Sequence, residues 1–242
     1  MSEYDGSNFL IYDCHAHFGF FEKKGIEPDR SNIMFNSVED YKKHRHLVSD
    51  ADSTTLIFDI WKEKNFVTGE LDNRRVDAIK LIPRDQSLDE SKFKDALYAL
   101  DSVRSDVPIF YDSFRHGHDL RFQPCLRHVI DLAMRFPDRK IIVTHAGGHQ
   151  LLDYFIHLRT LPNIYYDISL VLQYFYDSSV FLDIKKLIQH TSAEKLIFGS
   201  DYPWTSLRTQ FEIFIGLARE LKLDDTSIAA ILHDNSIEIL KP

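Results

Sequence analysis

Cysteine is nearly absent from this chain of 242 residues, in which only Cys14 and Cys125 occur. Two thiols that belong to no CxxC pair make neither a disulfide framework nor a thiolate zinc cage, and they fit a reducing compartment. Nine Gly and eight Pro are too few for a fibrous or low-complexity chain, and they gather into no linker. A run of about 18 apolar residues is also lacking, which excludes a hydrophobic transmembrane helix. The segment 1–7 is polar with two acids, so no secretory signal is expected and the chain is read as cytoplasmic. Basic residues are in deficit too: 29 Lys and Arg against 37 Asp and Glu leave a formal charge of −8. That balance argues against nucleic acid or an anionic membrane as a partner.

What the chain does have is apolar and aromatic residues, 44% and 13%, the makeup of a packed globular protein. Its length admits two domains or a single α/β barrel. Short apolar runs at 9–14, 54–60, 77–82, 108–112, 140–144, 163–168 and 195–199 read as strands covered on both faces. Between them lie helical patterns at 37–48, 89–104, 123–136, 150–161, 179–190, 206–221 and 225–240. Pro137 and Pro162 stop two of these helices just before a strand. The alternation predicts a parallel sheet. Seven strands are one short of a standard eight-stranded barrel, and the missing one belongs in 61–76, where 66–70 resembles a degraded strand. An open doubly wound sheet usually announces a Gly-rich first turn, whereas here the first strand runs into Asp13-Cys14-His15-Ala16-His17.

Histidine is plentiful, at twelve residues. In an extended strand His15 and His17 project to the same side, and Cys14 and Ala16 to the other. The pair closes the first strand, at the rim where parallel barrels keep their active sites. Two further apolar strands end in the same way, one on Thr144-His145 and one on Ser200-Asp201. If the barrel closes, the last strand neighbours the first and brings Asp201 beside His15 and His17. Two imidazoles, a carboxylate and an open position describe a catalytic rather than a structural metal site.

At these motifs the chain resembles the amidohydrolase superfamily, in particular the group that includes aminocarboxymuconate semialdehyde decarboxylase and related hydrolases and decarboxylases. The matching text is Asp13-Cys14-His15-Ala16-His17, Ala78-Ile79-Lys80-Leu81-Ile82-Pro83, Thr144-His145-Ala146-Gly147-Gly148 and Phe198-Gly199-Ser200-Asp201-Tyr202-Pro203, with 230–236 similar to the closing helix of such domains. The resemblance implies a single distorted or abbreviated (β/α)8 barrel over 1–242 with its third βα unit reduced. It also implies one divalent metal ion, Zn²⁺ or alternatively Mn²⁺, held by His15, His17 and Asp201. His145 is then a proton shuttle or further ligand, and Asp201 also takes a proton from water. Relatives commonly end the strand at 108–112 with a metal-binding His, where this chain has Asp112. Either the carboxylate serves as a ligand, or the site has dispensed with metal, as in the superfamily's metal-independent lactonase branch.

The loop 114–121 carries Arg115, His116 and His118 to the same rim, where Arg suits a substrate carboxylate or phosphate. An internal Arg to Asp pair in a solvated loop is the competing reading. Lys80 is expected to pair with Asp59 or a substrate anion rather than to be carbamylated. Trp204 and Tyr202 follow Asp201 and could wall the pocket. His44, His46, His128, His157, His190 and His233 fall on helical stretches and read as surface or packing residues. The expected activity is metal-dependent hydrolysis of a C–O or C–N bond in a small anionic substrate. Non-oxidative decarboxylation on the same site is the first alternative, and a metal-free lactonase or inactive binding barrel the second. Proteins of this kind are commonly dimers, so a homodimer is admitted.

Overall fold

The computed structural model describes residues 9–18, 55–59, 78–103, 105–202 and 204–240. Among these residues seven strands are present: β1 (Asp13–Phe18), β2 (Thr55–Asp59), β3 (Ile79–Leu81), β4 (Ile109–Asp112), β5 (Ile141–Thr144), β6 (Ile164–Asp167) and β7 (Leu196–Ile197). Six of them lie within the expected runs, and β1 is displaced from 9–14 so that His15 and His17 lie inside it. β1 pairs in parallel with β2, and β3 to β7 form a parallel sheet in sequential order. Backbone bonds join the two sheets. Cys14 N donates to Phe198 O at 3.2 Å, Asp201 N to His15 O at 2.7 Å and His17 N to Tyr202 O at 2.7 Å, and Ala16 forms a parallel bridge with Tyr202. The spatial order is therefore β2-β1-β7-β6-β5-β4-β3, with the last strand beside the first. The fold is α/β, an abbreviated parallel barrel of the (β/α)8 type. The reduced third unit expected at 61–76, the degraded strand at 66–70, the helix at 37–48 with His44 and His46, and the Asp59 side chain lie outside the described residues.

The helices follow the strands in turn: α1 (Glu90–Leu100), α2 (Leu126–Arg135), α3 (Leu151–Leu158), α4 (Val171–Tyr174), α5 (Ser179–His190), α6 (Leu207–Glu220), α7 (Asp225–Ala229) and α8 (Asn235–Leu240). Side-chain caps set where several begin. Asp89 accepts from Lys92 N at 2.9 Å and Asp224 from Ser227 N at 2.7 Å, each satisfying an orphan N–H of the first turn. The expected helix at 225–240 is interrupted by a π-helical turn, Ala230–Asp234. There Ile231 O accepts from Phe198 N at 3.1 Å and Leu232 O from Tyr12 N at 2.8 Å, so carbonyls released by the wider turn tie this segment to two strands. Among the described residues no helix is long and apolar enough to cross a membrane.

Burial on both faces divides the core into two layers. Ile79, Leu81, Ile109, Tyr111, Ile141, Val143, Ile164, Tyr166 and Leu196 pack against helical residues such as Phe93, Leu132, Leu187 and Phe214. The alternate strand residues Phe110, Ile142 and Ile197 form a separate cluster with Tyr12, Cys14 and Ile239. Period-two alternation explains the division, and the same alternation orders the inner face toward the rim. One inward position beyond Phe110, Tyr165 and Ile197 stand Asp112, Asp167 and Gly199, so the interior turns from apolar to polar at the carboxyl ends of the strands. That boundary positions the site.

Candidate metal centre

β1 does not alternate cleanly. Its register against β2 shifts between Asp13 and Ala16, and the irregularity lets Cys14 join the inner cluster while His15, one residue on, also reaches the interior. The expected opposition of Cys14 to His15 is thereby corrected: a bulge re-aims one side chain without reversing the strand. Asp13 holds the bulged strand against the β7 loop, accepting from Ser200 N at 2.7 Å and Ser200 Oγ at 2.6 Å. Gly199 gives His15 its space, because a Cβ there would stand 2.9 Å from His15 Cβ and 3.1 Å from its backbone N.

Three ligand-type atoms converge at the rim. His15 Nε2 lies 3.1 Å from His17 Nε2, and Asp201 Oδ1 lies 3.1 Å from His17 Nε2 and 3.3 Å from His15 Nε2. Donors bound to one ion at about 2.0–2.2 Å stand roughly 3.0–3.5 Å from each other, so these residues fit a divalent metal. Among the described residues Asp201 Oδ1 is buried without a hydrogen-bond partner, which suits an atom that would meet a cation. All three side chains are buried.

His15 is prepared for this part by the residue behind it. Its Nδ1 lies 2.6 Å from Asp167 Oδ2, and the carboxylate can only accept, so Nδ1 carries the hydrogen and Nε2 presents a lone pair. This carboxylate–imidazole arrangement is the usual support of a metal-binding His. Asp167 is in turn held by Ser169, whose N donates to Oδ1 at 2.7 Å and whose Oγ donates to Oδ2 at 2.8 Å. Burial pushes the His15 pKa well down, reinforced by the charges of Lys80, His145 and His17, which keeps the ring neutral and able to bind metal. Burial raises the Asp167 carboxyl, partly offset by His145 and the Ser169 bonds.

His145 stacks on His15 with ring centroids 4.9 Å apart, and its Nδ1 lies 3.2 Å from the Ser169 carbonyl. The carbonyl fixes a hydrogen on Nδ1, so Nε2 is the nitrogen left for proton transfer. His15, His145 and Asp167 form a second close group of metal-type donors beside the first. The backbone here is strained: His145, Ala146, Leu170 and Asp201 all have φ between 49° and 64°, a left-handed conformation that non-glycine residues adopt at a cost of about 1–3 kcal/mol and that clusters at functional sites. After Ala146 the chain turns on Gly147 at φ 92°, where a Cβ would meet the Tyr154 ring at 2.8 Å.

The other sequence candidates spread around this centre. Asp112 belongs to neither donor group among the described residues; its Oδ1 accepts from Phe114 N at 3.0 Å. Burial alone would raise the Asp112 carboxyl, but the charges of His145, Lys80 and Arg84 hold it below the usual range. Lys80 Nζ lies 2.7 Å from His15 Nε2 and 3.0 Å from His17 Nε2. Arg115 Nε donates to Pro124 O at 3.0 Å, and His116 and His118 are exposed on the loop. Arg121 pairs with Asp119 at 2.7 Å, the internal loop pair of the competing reading. Trp204 is half-exposed, and its backbone N donates to Asp201 O at 2.9 Å. Asp167, Ser169 and Asp13 were missed by the sequence reading. Asp167 left a signal, because its strand ends on an acid as those of Asp112 and Asp201 do.

The amidohydrolase family profile matches residues 105–241, more than half of the chain. The chain belongs to the amidohydrolase family. Comparison with curated proteins finds no match. Among solved structures, this amidohydrolase-family chain is similar to a 2,6-dihydroxybenzoate decarboxylase bound to 2,6-dihydroxybenzoate, at 11% identity and TM-score 0.62, over 97% of this chain and 100% of that one. It is similar to the Metarhizium anisopliae IDCase at 13% identity and TM-score 0.56, over 97% of each chain. An uncharacterised TIM-barrel protein of Bordetella bronchiseptica aligns at 18% identity and TM-score 0.55 over 68% of this chain, which spans 57% of that protein. At these identities the likeness concerns the barrel fold.

Proposed function

We propose that this amidohydrolase-family chain is a metal-dependent hydrolase of a C–O or C–N bond in a small, carboxylate-bearing substrate. The observation that carries the reading is the convergence of His15 Nε2, His17 Nε2 and Asp201 Oδ1 within 3.3 Å of one another, with His15 oriented by Asp167. A divalent ion held there, Zn²⁺ or Mn²⁺, supplies Lewis acidity that acidifies water and polarises a substrate oxygen. Asp201, which would hold the ion through Oδ1, offers its second oxygen as an acceptor for a proton from water. His145, steadied through Nδ1 by Ser169, offers Nε2 for carrying a proton to the leaving group. Lys80 and Arg84, whose charges both reach Asp112, supply the cationic side that recognises a carboxylate, with Arg115, His116, His118 and Trp204 further out. His15 and Asp201 come from distant parts of the chain, and a site built from both supports reading 1–242 as one domain.

Decarboxylation is the second reading. It is favoured by the likeness to the 2,6-dihydroxybenzoate decarboxylase, whose full length this chain covers. On that reading the same cationic groups hold the departing carboxylate, and His145 protonates carbon. Metal analysis, followed by CO₂ release measured against turnover of small esters, lactones and amides, separates the two. The double variant His15→Ala with His17→Ala should keep its circular dichroism spectrum and lose stoichiometric metal, since rim residues serve chemistry more than the core. Retention of metal by that variant would overturn the ligand assignment.

A further inference from the structure

We propose that Lys80 is a built-in competitor for the metal's donor set, and that metal uptake moves its side chain off His15 and His17 and onto Asp112. The proposal rests on the metal-site reading above. Lys80 Nζ is within hydrogen-bond distance of both imidazole nitrogens that would bind the ion, 2.7 Å from His15 Nε2 and 3.0 Å from His17 Nε2. The His15 Nε2 lone pair points into the site because Nδ1 is committed to Asp167. One lone pair cannot accept from an ammonium and bind a metal ion together. A second cation within about 3 Å would also repel the first strongly in so buried a place. Occupation by the ion and occupation by Nζ therefore exclude each other.

The strand itself is not free to follow. The Lys80 backbone lies within β3, paired in register with Phe110 of β4. The end of β3 is further clasped by Gln86, whose Oε1 accepts from Ile82 N at 2.8 Å and whose Nε2 donates to Lys80 O at 3.4 Å. Displacement must then come from rotation of the long lysine side chain. Lys80 is in register with Phe110, so Asp112 is the next residue of β4 on the same face, one step toward the rim. Its charge already couples to that of Lys80. A carboxylate at that place receives the displaced ammonium and keeps it at the mouth.

The test is a mutant cycle read by Zn²⁺ affinity, measured by competition with a chelating dye in the absence of substrate. Lys80→Met keeps the length of the side chain and removes the ammonium, and Lys80→Gln serves if the methionine variant fails to fold. Either should bind Zn²⁺ roughly tenfold or more tightly than wild type, the scale of losing two charge-assisted bonds from the competing state. Asp112→Asn should weaken Zn²⁺ binding by about threefold or more in the wild-type background and leave it unchanged beside Lys80→Met, because Asp112 acts only through the lysine. Equal or weaker binding by the Lys80 variants would overturn the proposal, as would an equal Asp112→Asn effect in both backgrounds, which would make Asp112 a direct ligand. Absence of Zn²⁺ binding by wild type and Lys80 variants alike would instead overturn the metal-site reading itself.

Discussion

Asp167→Asn replaces one oxygen by nitrogen at a buried residue behind the metal-type donors, and the surrounding hydrogen bonds dictate the outcome. Asp167 Oδ1 accepts from Ser169 N at 2.7 Å, while Oδ2 accepts from Ser169 Oγ at 2.8 Å and from His15 Nδ1 at 2.6 Å. If the new amide keeps its oxygen on Ser169 N, its NH₂ faces His15 Nδ1. The imidazole then accepts there, which moves its hydrogen to Nε2, the atom proposed as a metal ligand. If the amide turns over, its NH₂ opposes the Ser169 N–H. The first orientation costs the His15 tautomer, and the second leaves a donor facing a donor in a fully buried place. Loss of such a supporting carboxylate typically weakens metal binding by about 10–100-fold, or about 1.4–2.7 kcal/mol. The assay is Zn²⁺ competition with a chelating dye at fixed pH, with circular dichroism to show that the variant is folded. A folded Asp167→Asn protein whose Zn²⁺ affinity stays within about threefold of wild type would refute the argument that Asp167 sets the His15 tautomer.

Gly199→Ala forces a methyl group to 2.9 Å from His15 Cβ and 3.2 Å from Ser169 Cβ; urea unfolding should show a loss of about 1–3 kcal/mol, and an unchanged midpoint would mean that the strands part freely. Asn235→Ala removes two bonds from Asn235 Nδ2, to Leu196 O at 2.7 Å and Ala193 O at 2.8 Å, at an expected cost of about 1–3 kcal/mol in the same measurement. Burial holds the His128 pKa below its usual value despite the opposing pull of Glu90 and Asp131, with Arg127 adding to the lowering. Its Nδ1 lies 3.0 Å from the Tyr111 hydroxyl oxygen, which also accepts from Cys125 N. The unfolded chain therefore binds the proton more readily, and the His128 contribution to stability is present above about pH 6.5 and lost as pH falls toward the folded value. Urea midpoints of wild type should drop more between about pH 7 and 5 than those of His128→Gln; parallel curves would show that the ring titrates normally.

Most of the barrel was legible because most strands are apolar runs bounded by turn chemistry, and burial on both faces selects such runs. β4, β5 and β6 needed no more than that. The metal-type residues were legible for a related reason: His15, His17, His145 and Asp201 are polar groups placed where apolar strands end. The bulge between Asp13 and Ala16 was not, since it depends on how β1 meets β2 and β7. The π-turn at Ala230–Asp234 was hidden in the same way, because its released carbonyls are satisfied by Tyr12 and Phe198 from distant strands.

By itself, then, the sequence determined the elements, their parallel arrangement and the side chains offered at the rim, all of which follow from local periodicity and from strand ends. It also carried the amidohydrolase resemblance in four short motifs. Only the tertiary structure decided how those side chains divide the work. It placed Asp167 behind His15 across 152 positions of sequence, set Lys80 against the nitrogens of His15 and His17, and left Asp112 outside both donor groups. Hydrogen bonds and lone pairs are fixed by distances of a few tenths of an ångström, and strand closure, not chain order, sets those distances.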